Sequence, residues 1–428
     1  MAIANQLLIN RTLENGRARG ASARRLNIAI IDEELPYPPT SGKRIRTFNL
    51  TKRLAKRHNI VYICHRNADA KEASQAANYL NKLGIETLVV DRAAPPRSGP
   101  FFYGRLLLNL FSKNPYSVTS HDSWPLRQLI HKVAATRAID LWHCEWTPYA
   151  AALRDLPSVR KLVMAHNVES QIWQRYAETE ANPLKRWYIR IQERKFKRFE
   201  RWAVASAHKT VAVSEEDARL FADCFDARSV SVVDNGVDIN YFQPREGPRE
   251  AGHILFLGSL DWRPNLDAVD LLLDRIFPAV QSQIPHAQLS IVGRNPSPDL
   301  IRKVEKANRV TLHGNVADVR PYLNHCGVMA VPLRIGGGSR LKILEALACG
   351  LPVVSTEVGA EGLDLQPGWH LCVVPEVDEV ASALIHAIQN PLAMQAMADA
   401  GRQRILERYD WDALANKLER IWFECAGK

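Results

Sequence analysis

Short apolar runs recur along this chain, and most of the stretches between them carry a helical period. "LNIAII" (26–31), "NIVYIC" (59–64), "ETLVV" (86–90), "IDLWHCE" (139–145), "KLVMAHNV" (161–168), "KTVAVS" (209–214) and "VSVVDNG" (230–236) read as strands. Their near-continuous apolar character suits strands covered on both faces. Helical spacing fills the gaps, as in "KRIRTFNLTKRLAKR" (43–57). Strands separated by helices predict parallel sheets with helices on both sides.

"QPREGPREAG" (243–252), rich in proline, glycine and charge, interrupts the pattern and reads as a linker. A second series follows: "ILFLGS" (254–259), "QLSIVG" (288–293), "RVTLHG" (309–314), "VMAVPL" (328–333), "PVVST" (352–356) and "LCVV" (371–374). The chain from Asp410 reads as a terminal helix. The division expected is a basic, disordered extension (1–25), a first domain (26–242), a second domain (253–408) and a terminal helix (409–428) that packs back on the first domain. The class is α/β, with two doubly wound domains facing a cleft. Ligands of such folds bind at the carboxyl ends of the strands.

The stretch "RIGGGSRLKILEALACGLPVVST" (334–356) lies on that rim. Gly336, Gly337 and Gly338 precede a helix for which Ser339 is a suitable N-cap. Unpaired N–H groups and the positive end of the helix dipole suit a phosphate. Arg340 and Lys342 add formal charge. Leu341, Leu344 and Ala348 share the face that packs on the sheet, and Lys342 and Glu345 lie three apart on the other side. Such a pair can be a surface ion pair of little worth. At the sheet's carboxyl edge the better reading has Lys342 meeting phosphate and Glu345 accepting from sugar hydroxyls. The spacing is not that of a Walker loop. Gly258, Gly293 and Gly314 end neighbouring strands of the same half, where a bare backbone lets a ligand come close.

In the first half, "PYPPTSGKRIRTF" (36–48) puts Gly42 just before a helix bearing Lys43, Arg44 and Arg46. That is either an anion-tolerant loop or an ordinary connection with solvated bases. His166 and Asn167 end a strand, so His166 is placed to bond a substrate hydroxyl. Asn235 and Gly236 read as structural. The one D-x-D, Asp410-Trp411-Asp412, reads as a helix cap, and no metal site is expected. "KRWYIRIQERKFKRFERWA" (185–203) is a basic helix with a partial apolar stripe of Trp187, Tyr188, Ile191, Phe199 and Trp202. Docking of that stripe in the core is the favoured reading, with contact to an anionic membrane as the alternative.

Composition narrows the class. The formal charge is +10, with 46% hydrophobic residues. Basic balance agrees with a phosphate ligand or an anionic surface. No nucleic-acid module is present, and nucleic acid is not an expected partner. No apolar run is long enough to span a bilayer, and the first 25 residues lack the apolar core of a signal peptide. Seven scattered cysteines without a C-x-x-C pair argue against a disulfide framework or a zinc site. The expected location is the cytoplasm, with peripheral contact at the inner face of the membrane.

"LDWRPNLDAVDLL" (260–272), "LHGNVADVRPYL" (312–323) and "VPLRIGGGSRLKILEALACGLPVVSTEVGAEGL" (331–363) resemble the nucleotide-sugar half of the GT-B glycosyltransferases. More narrowly, they resemble the retaining family called glycosyltransferases group 1, or family four. "PYPPTSGKRIRTFNLTKRLAKRH" (36–58) and "AHNVES" resemble its acceptor-side half. The resemblance implies two Rossmann-like domains around a cleft. It also implies transfer of a sugar from a nucleoside diphosphate, with retention, to a glycan or lipid-linked acceptor of cell-surface or exopolysaccharide synthesis. No dissociable metal and no cofactor beyond the donor are implied. By position, Glu345 matches the ribose-binding glutamate, and Gly337, Gly338 and Ser339 match the diphosphate loop. Gly42 matches a glycine near the donor phosphates, and His166 a histidine near the transferred sugar. Arg294 and Val316 lie where the base sits. The chain departs from the pattern twice. Gly337 stands where many members carry the first glutamate of E-x7-E. Ser259 and "DWRPN" stand where an arginine and then a lysine are common, so Arg340, Lys342 and Arg263 are expected to supply charge. A sugar-nucleotide epimerase, or a non-catalytic binder of nucleotide sugars, is the alternative on the same fold.

Overall fold

Strand burial follows the apolar runs: in the first strand every side chain after Asn27 is buried, and so is every one of Lys161–Ala165. The computed structural model describes residues 25–92, 95, 98–335 and 340–428. The expected extension, apart from Arg25, and Gly336–Ser339 lie outside the described residues. The first parallel sheet holds β1 (Asn27–Asp32), β2 (Asn59–His65), β3 (Ile85–Val90), β4 (Leu141–Cys144), β5 (Lys161–Ala165), β6 (Lys209–Ala212) and β7 (Val230–Val232). Its order is β3-β2-β1-β4-β5-β6-β7. The second holds β8 (Glu250–Leu257), β9 (Gln288–Gly293), β10 (Val310–Gly314), β11 (Cys326–Val331), β12 (Val353–Thr356) and β13 (Cys372–Val374). Its order is β10-β9-β8-β11-β12-β13. Chain direction along the sheet reverses between β1 and β4, and between β8 and β11, which opens a crevice at each carboxyl edge.

The helices that bear on those edges are α1 (Gly42–Leu54) after β1, α2 (Pro100–Asn109) after β3, and α3 (Glu169–Thr179) with α4 (Pro183–Ser206) between β5 and β6. In the second half they are α5 (Arg263–Leu271) after β8, α6 (Arg320–His325) before β11 and α7 (Leu341–Ala348) between β11 and β12. The terminal helix is α8 (Trp411–Ala426), capped by Asp410, whose carboxylate accepts from the amides of Asp412 and Ala413.

Strand β8 starts at Glu250, three residues inside the stretch expected to be a linker, because Glu250 already pairs with Cys326 of β11. The last expected strand of the first half stops at Val232. Beyond it, the Arg46 guanidinium donates to Asp234 O and Asn235 Oδ1, which fixes that turn. A Cβ on Gly236 would fall 2.7 Å from the Trp411 ring, so glycine lets α8 sit down there. Trp411, Leu414, Leu418 and Trp422 of α8 share one core with Ile28, Ile30, Leu162 and Val211 of the first sheet. Truncating a buried tryptophan costs about 3–5 kcal/mol.

Helix α4 packs differently from expectation. Its buried stripe is Ile189, Phe196, Phe199 and Ala203, with Gln192, Lys195 and Glu200 also buried, whereas Trp187 is exposed. The polar members are held by partners: the Glu200 carboxylate accepts from the amides of Glu169 and Ser170 and so caps α3. All seven cysteines are free thiols. Among the described residues no helix is long and apolar enough to cross a membrane.

Candidate functional site

At the carboxyl edge of the second sheet, α7 is buried on nearly every side: Leu341, Ile343, Leu344, Ala346, Leu347 and Ala348 are all in the core. Lys342 and Glu345 alone keep a partial solvent opening, side by side at spacing three. Lys342 Nζ donates to Asn265 Oδ1 at 2.8 Å and lies 4.8 Å from the centre of the Phe256 ring. Asn265 Nδ2 in turn donates to Ser259 O at 2.9 Å. Burial pushes the Glu345 carboxyl up to about 8, with Lys342 opposing. Burial and the neighbouring Arg340 charge push Lys342 down to about 7. Burial thus works against the charged form of both members of the pair.

Beside them, Arg294 Nε donates to Ser259 Oγ at 2.6 Å. The ends of β8 and β9 are laced together by Gly258 N to Val292 O and Leu260 N to Arg294 O. The strand-end glycines serve this lacing. A Cβ on Gly293 would meet Gly258 O at 1.9 Å, and one on Gly258 would meet the Asn265 side chain at 2.8 Å. Asn315 takes a left-handed conformation and donates its amide to Gly293 O, which turns the chain toward Val316, packed against the core.

The first sheet offers a second polar rim. Gly42 opens α1 behind Ser41, whose hydroxyl accepts from Arg44 N. The three bases that follow are not free for an anion. Lys43 Nζ pairs with Asp32 at 2.5 Å, Arg44 with Glu34 and Glu72, and Arg46 is buried against the Asp234 turn. The Asp32 and Glu33 charges overcome burial and hold Lys43 protonated. His166 Nε2 donates to Glu145 O at 2.8 Å. The Glu145 carboxylate accepts from Thr47 Oγ1 at 2.8 Å and lies 3.1 Å from His143 Nε2. Burial works to raise the Glu145 pKa, but His143 and His166 hold it well below the usual range. Trp422 Nε1 donates to His143 Nδ1, so the terminal helix reaches into this network.

The two halves touch beside these rims. Arg175 of α3 makes a bidentate pair with Glu361, both contacts at 2.8 Å. Arg263, the first residue of α5, pairs with Glu180 at 3.2 Å and stacks 4.9 Å from the Tyr176 ring centre. Arg340 is 2% exposed, donates to Val358 O at 2.7 Å and lies 3.6 Å from Glu361.

The structure therefore gathers Gly258, Arg294, Val316, Lys342 and Glu345 on one edge, and Gly42 and His166 on the other. It turns Arg340 and Arg263 toward protein partners. The N-cap position of α7 falls on Arg340 rather than Ser339; Gly336, Gly337, Gly338 and Ser339 lie outside the described residues. Asn265, Asp32, His143 and Glu145 are functional candidates that sequence reasoning passed over. The signal for the last two was present in "LWHCE", where an apolar strand ends on two titratable groups.

Two parallel sheets in this arrangement define the GT-B fold, and solved glycosyltransferases share it. Sucrose-phosphate synthase from Thermosynechococcus elongatus superimposes with a TM-score of 0.69 at 19% identity, over 94% of this chain and 99% of that one. The Anabaena protein Alr3699/HepE in complex with UDP and glucose does so at 0.62 and 15% identity, over 93% and 99%. The chain belongs to the group 1, family four glycosyltransferases: the family described as "Glycosyl transferases group 1" matches residues 251–390 and "Glycosyltransferase Family 4" matches residues 40–241. Among curated relatives, phosphatidyl-myo-inositol mannosyltransferase of Mycobacterium tuberculosis is 30% identical over 51% of this chain, and glycogen synthase of the same organism 25% over 57%. The chain spans 60% and 61% of the lengths of these two relatives.

Proposed function

We propose that this protein transfers a sugar from a nucleoside diphosphate to a hydroxyl acceptor with retention at the anomeric carbon. The observation that carries the reading is the Lys342–Glu345 pair, desolvated on a buried helix at the carboxyl edge of the second sheet. A diphosphate would draw a proton onto Lys342, and ribose hydroxyls would favour the ionised Glu345, so the donor relieves the strain that burial imposes on both. In the reaction the bond from the anomeric carbon to the diphosphate oxygen breaks, and a bond to the acceptor oxygen forms on the same face. The acceptor proton passes to the leaving diphosphate. Charge grows on that diphosphate, where Lys342, held by Asn265, stabilises it, and no dissociable metal is needed in this scheme. His166, oriented by Glu145, would bond a sugar hydroxyl. Arg340 acts as a positioning residue through Glu361. Closure across Arg175–Glu361 and Arg263–Glu180 would exclude water.

The acceptor in this reading is a glycan or a lipid-linked intermediate at an anionic membrane surface. Helix α2 and the turn after it expose Phe101 (84%), Tyr103, Leu107, Leu108 and Phe111 (88%). Helix α4 is tied to that segment by Gln192 Nε2 donating to Asn109 Oδ1 and carries Arg186, Arg190 and Arg194 around exposed Trp187. Apolar side chains beside cations are what an anionic bilayer surface binds.

A thermal-shift screen against UDP-, GDP- and ADP-sugars, followed by NMR of the product formed with the donor that binds, tests the reading. One donor should raise the midpoint, and the product should keep the donor's anomeric configuration. An inverted product, or a Glu345→Ala variant that binds and turns over donor like the parent, would sink it.

A further inference from the structure

Three metal-ligating side chains meet at the opposite, amino-terminal edge of the second sheet. Glu250 and His253 lie on β8, and His325 ends α6. Glu250 Oε2 is 3.2 Å from His253 Nδ1 and 2.9 Å from His325 Nε2, and one ligand atom from each residue falls within 4.8 Å of the others. We propose that Glu250, His253 and His325 form a binding site for a divalent transition-metal cation of the Zn2+ type, with the fourth position open to water.

The spacing fits. Ligands held ~2.0–2.1 Å from a tetrahedral zinc stand about 3.3 Å apart, close to the two separations already present. Two imidazoles and one carboxylate form a donor set that binds Zn2+ readily, and that hard cations such as Mg2+ do not prefer. The groups behind the ligands also fit. His253 Nε2 lies 2.8 Å from Ser290 Oγ, which lies 3.4 Å from His313 Nε2. A relay running His253 N–H to Ser290 O–H to His313 leaves the His253 Nδ1 lone pair toward Glu250. Gln288 Nε2 donates to Glu250 Oε1 at 3.1 Å, which occupies one carboxylate oxygen and leaves Oε2 for the metal. Outer partners of this kind set the tautomer and orientation of metal ligands. Glu250 and His253 lie in the first half of β8, at the end away from Leu257 and the donor rim, where the strand bulges against β11 between Glu250 and Ile254. The cation would tie the start of β8, just after the link between the two halves, to the end of α6. The proposal does not depend on the transferase reading.

The test uses the full untagged chain, stripped with chelator and carrying Cys224→Ser to remove the exposed thiol. Zn2+ is titrated in competition with a chromophoric indicator, and Co2+ is added separately to read its visible bands. One equivalent should bind, with Co2+ bands of the intensity that low-coordinate sites give. His325→Ala, at an exposed position, and the His253→Ala/His325→Ala double variant should each lose at least about tenfold in affinity and the bands, with far-UV circular dichroism unchanged. No saturable equivalent in the parent overturns the proposal. So does an equivalent that survives in the double variant, which would leave only a surface cluster of histidine–carboxylate pairs.

Discussion

Lys342 Nζ donates to Asn265 Oδ1 at 2.8 Å, and that one hydrogen bond joins the helix after β11 to the helix after β8. Asn265 also donates to Ser259 O, so a single buried amide sets both the lysine and the strand end. Lys342→Met should lower kcat/KM by roughly 10²-fold, the scale of one lost transition-state donor. Asn265→Ala should lose at least about tenfold by releasing the lysine. Gly258→Ala should behave like Asn265→Ala, because its Cβ would fall 2.8 Å from the Asn265 side chain. Steady-state kinetics on the three variants decides this; an Asn265→Ala enzyme as active as the parent refutes the coupling.

The same rim makes stability depend on pH with opposite signs for its two groups. Glu345 is raised from 4.5 to about 8, so the fold holds a proton there that the unfolded chain releases. Its contribution is complete below pH 4.5 and is lost as pH rises to 8. Lys342 is lowered from 10.5 to about 7, so its contribution is complete above 10.5 and is lost as pH falls to 7. The melting midpoint of Glu345→Gln relative to the parent should therefore climb between pH 5 and 8, by ~2 °C or more. That of Lys342→Met should instead fall between pH 7 and 10. Parallel midpoint curves for parent and variants would contradict the desolvation of the pair.

Arg175 and Glu361 join the two halves beside the cleft through a bidentate, partly exposed pair. A double-mutant cycle with Arg175→Ala and Glu361→Ala should give a coupling of about 1 kcal/mol, limited by solvent screening. Removing both should also let the halves open. Small-angle scattering should then report a larger radius of gyration for the double variant, and KM for the donor should rise more than kcat falls. Unchanged scattering would mean the pair does not hold the closed arrangement.

The apolar face of α2 predicts a lipid-dependent interaction. Phe101→Ser/Phe111→Ser should reduce co-sedimentation with phosphatidylglycerol vesicles several-fold, while pure phosphatidylcholine vesicles bind little of either protein. Because both side chains are exposed, the thermal midpoint should stay within about 1–2 °C of the parent. Equal sedimentation of parent and variant would remove this face from consideration.

The alternation of apolar runs and helical periods was enough to predict two parallel sheets, thirteen strands in their order along the chain, and the capping of α8 by Asp410. Those features depend on near neighbours, and backbone periodicity writes them directly into the residues. Lys342 and Glu345 were legible for the same reason, since spacing three on a helix puts them side by side. Charge partners were not. Arg263 and Arg340 read as cations for the ligand, and Lys43, Arg44 and Arg46 as either an anion-tolerant loop or solvated bases; tertiary packing gave each a protein partner. The contacts that make the candidate site span long loops of chain: 77 residues for Lys342–Asn265, 186 for Arg175–Glu361 and 279 for Trp422–His143. No local pattern encodes such pairings. They exist only once the sheets have formed, because packing the helices against those sheets is what brings distant donors and acceptors within hydrogen-bonding distance and strips the water that would otherwise have satisfied them.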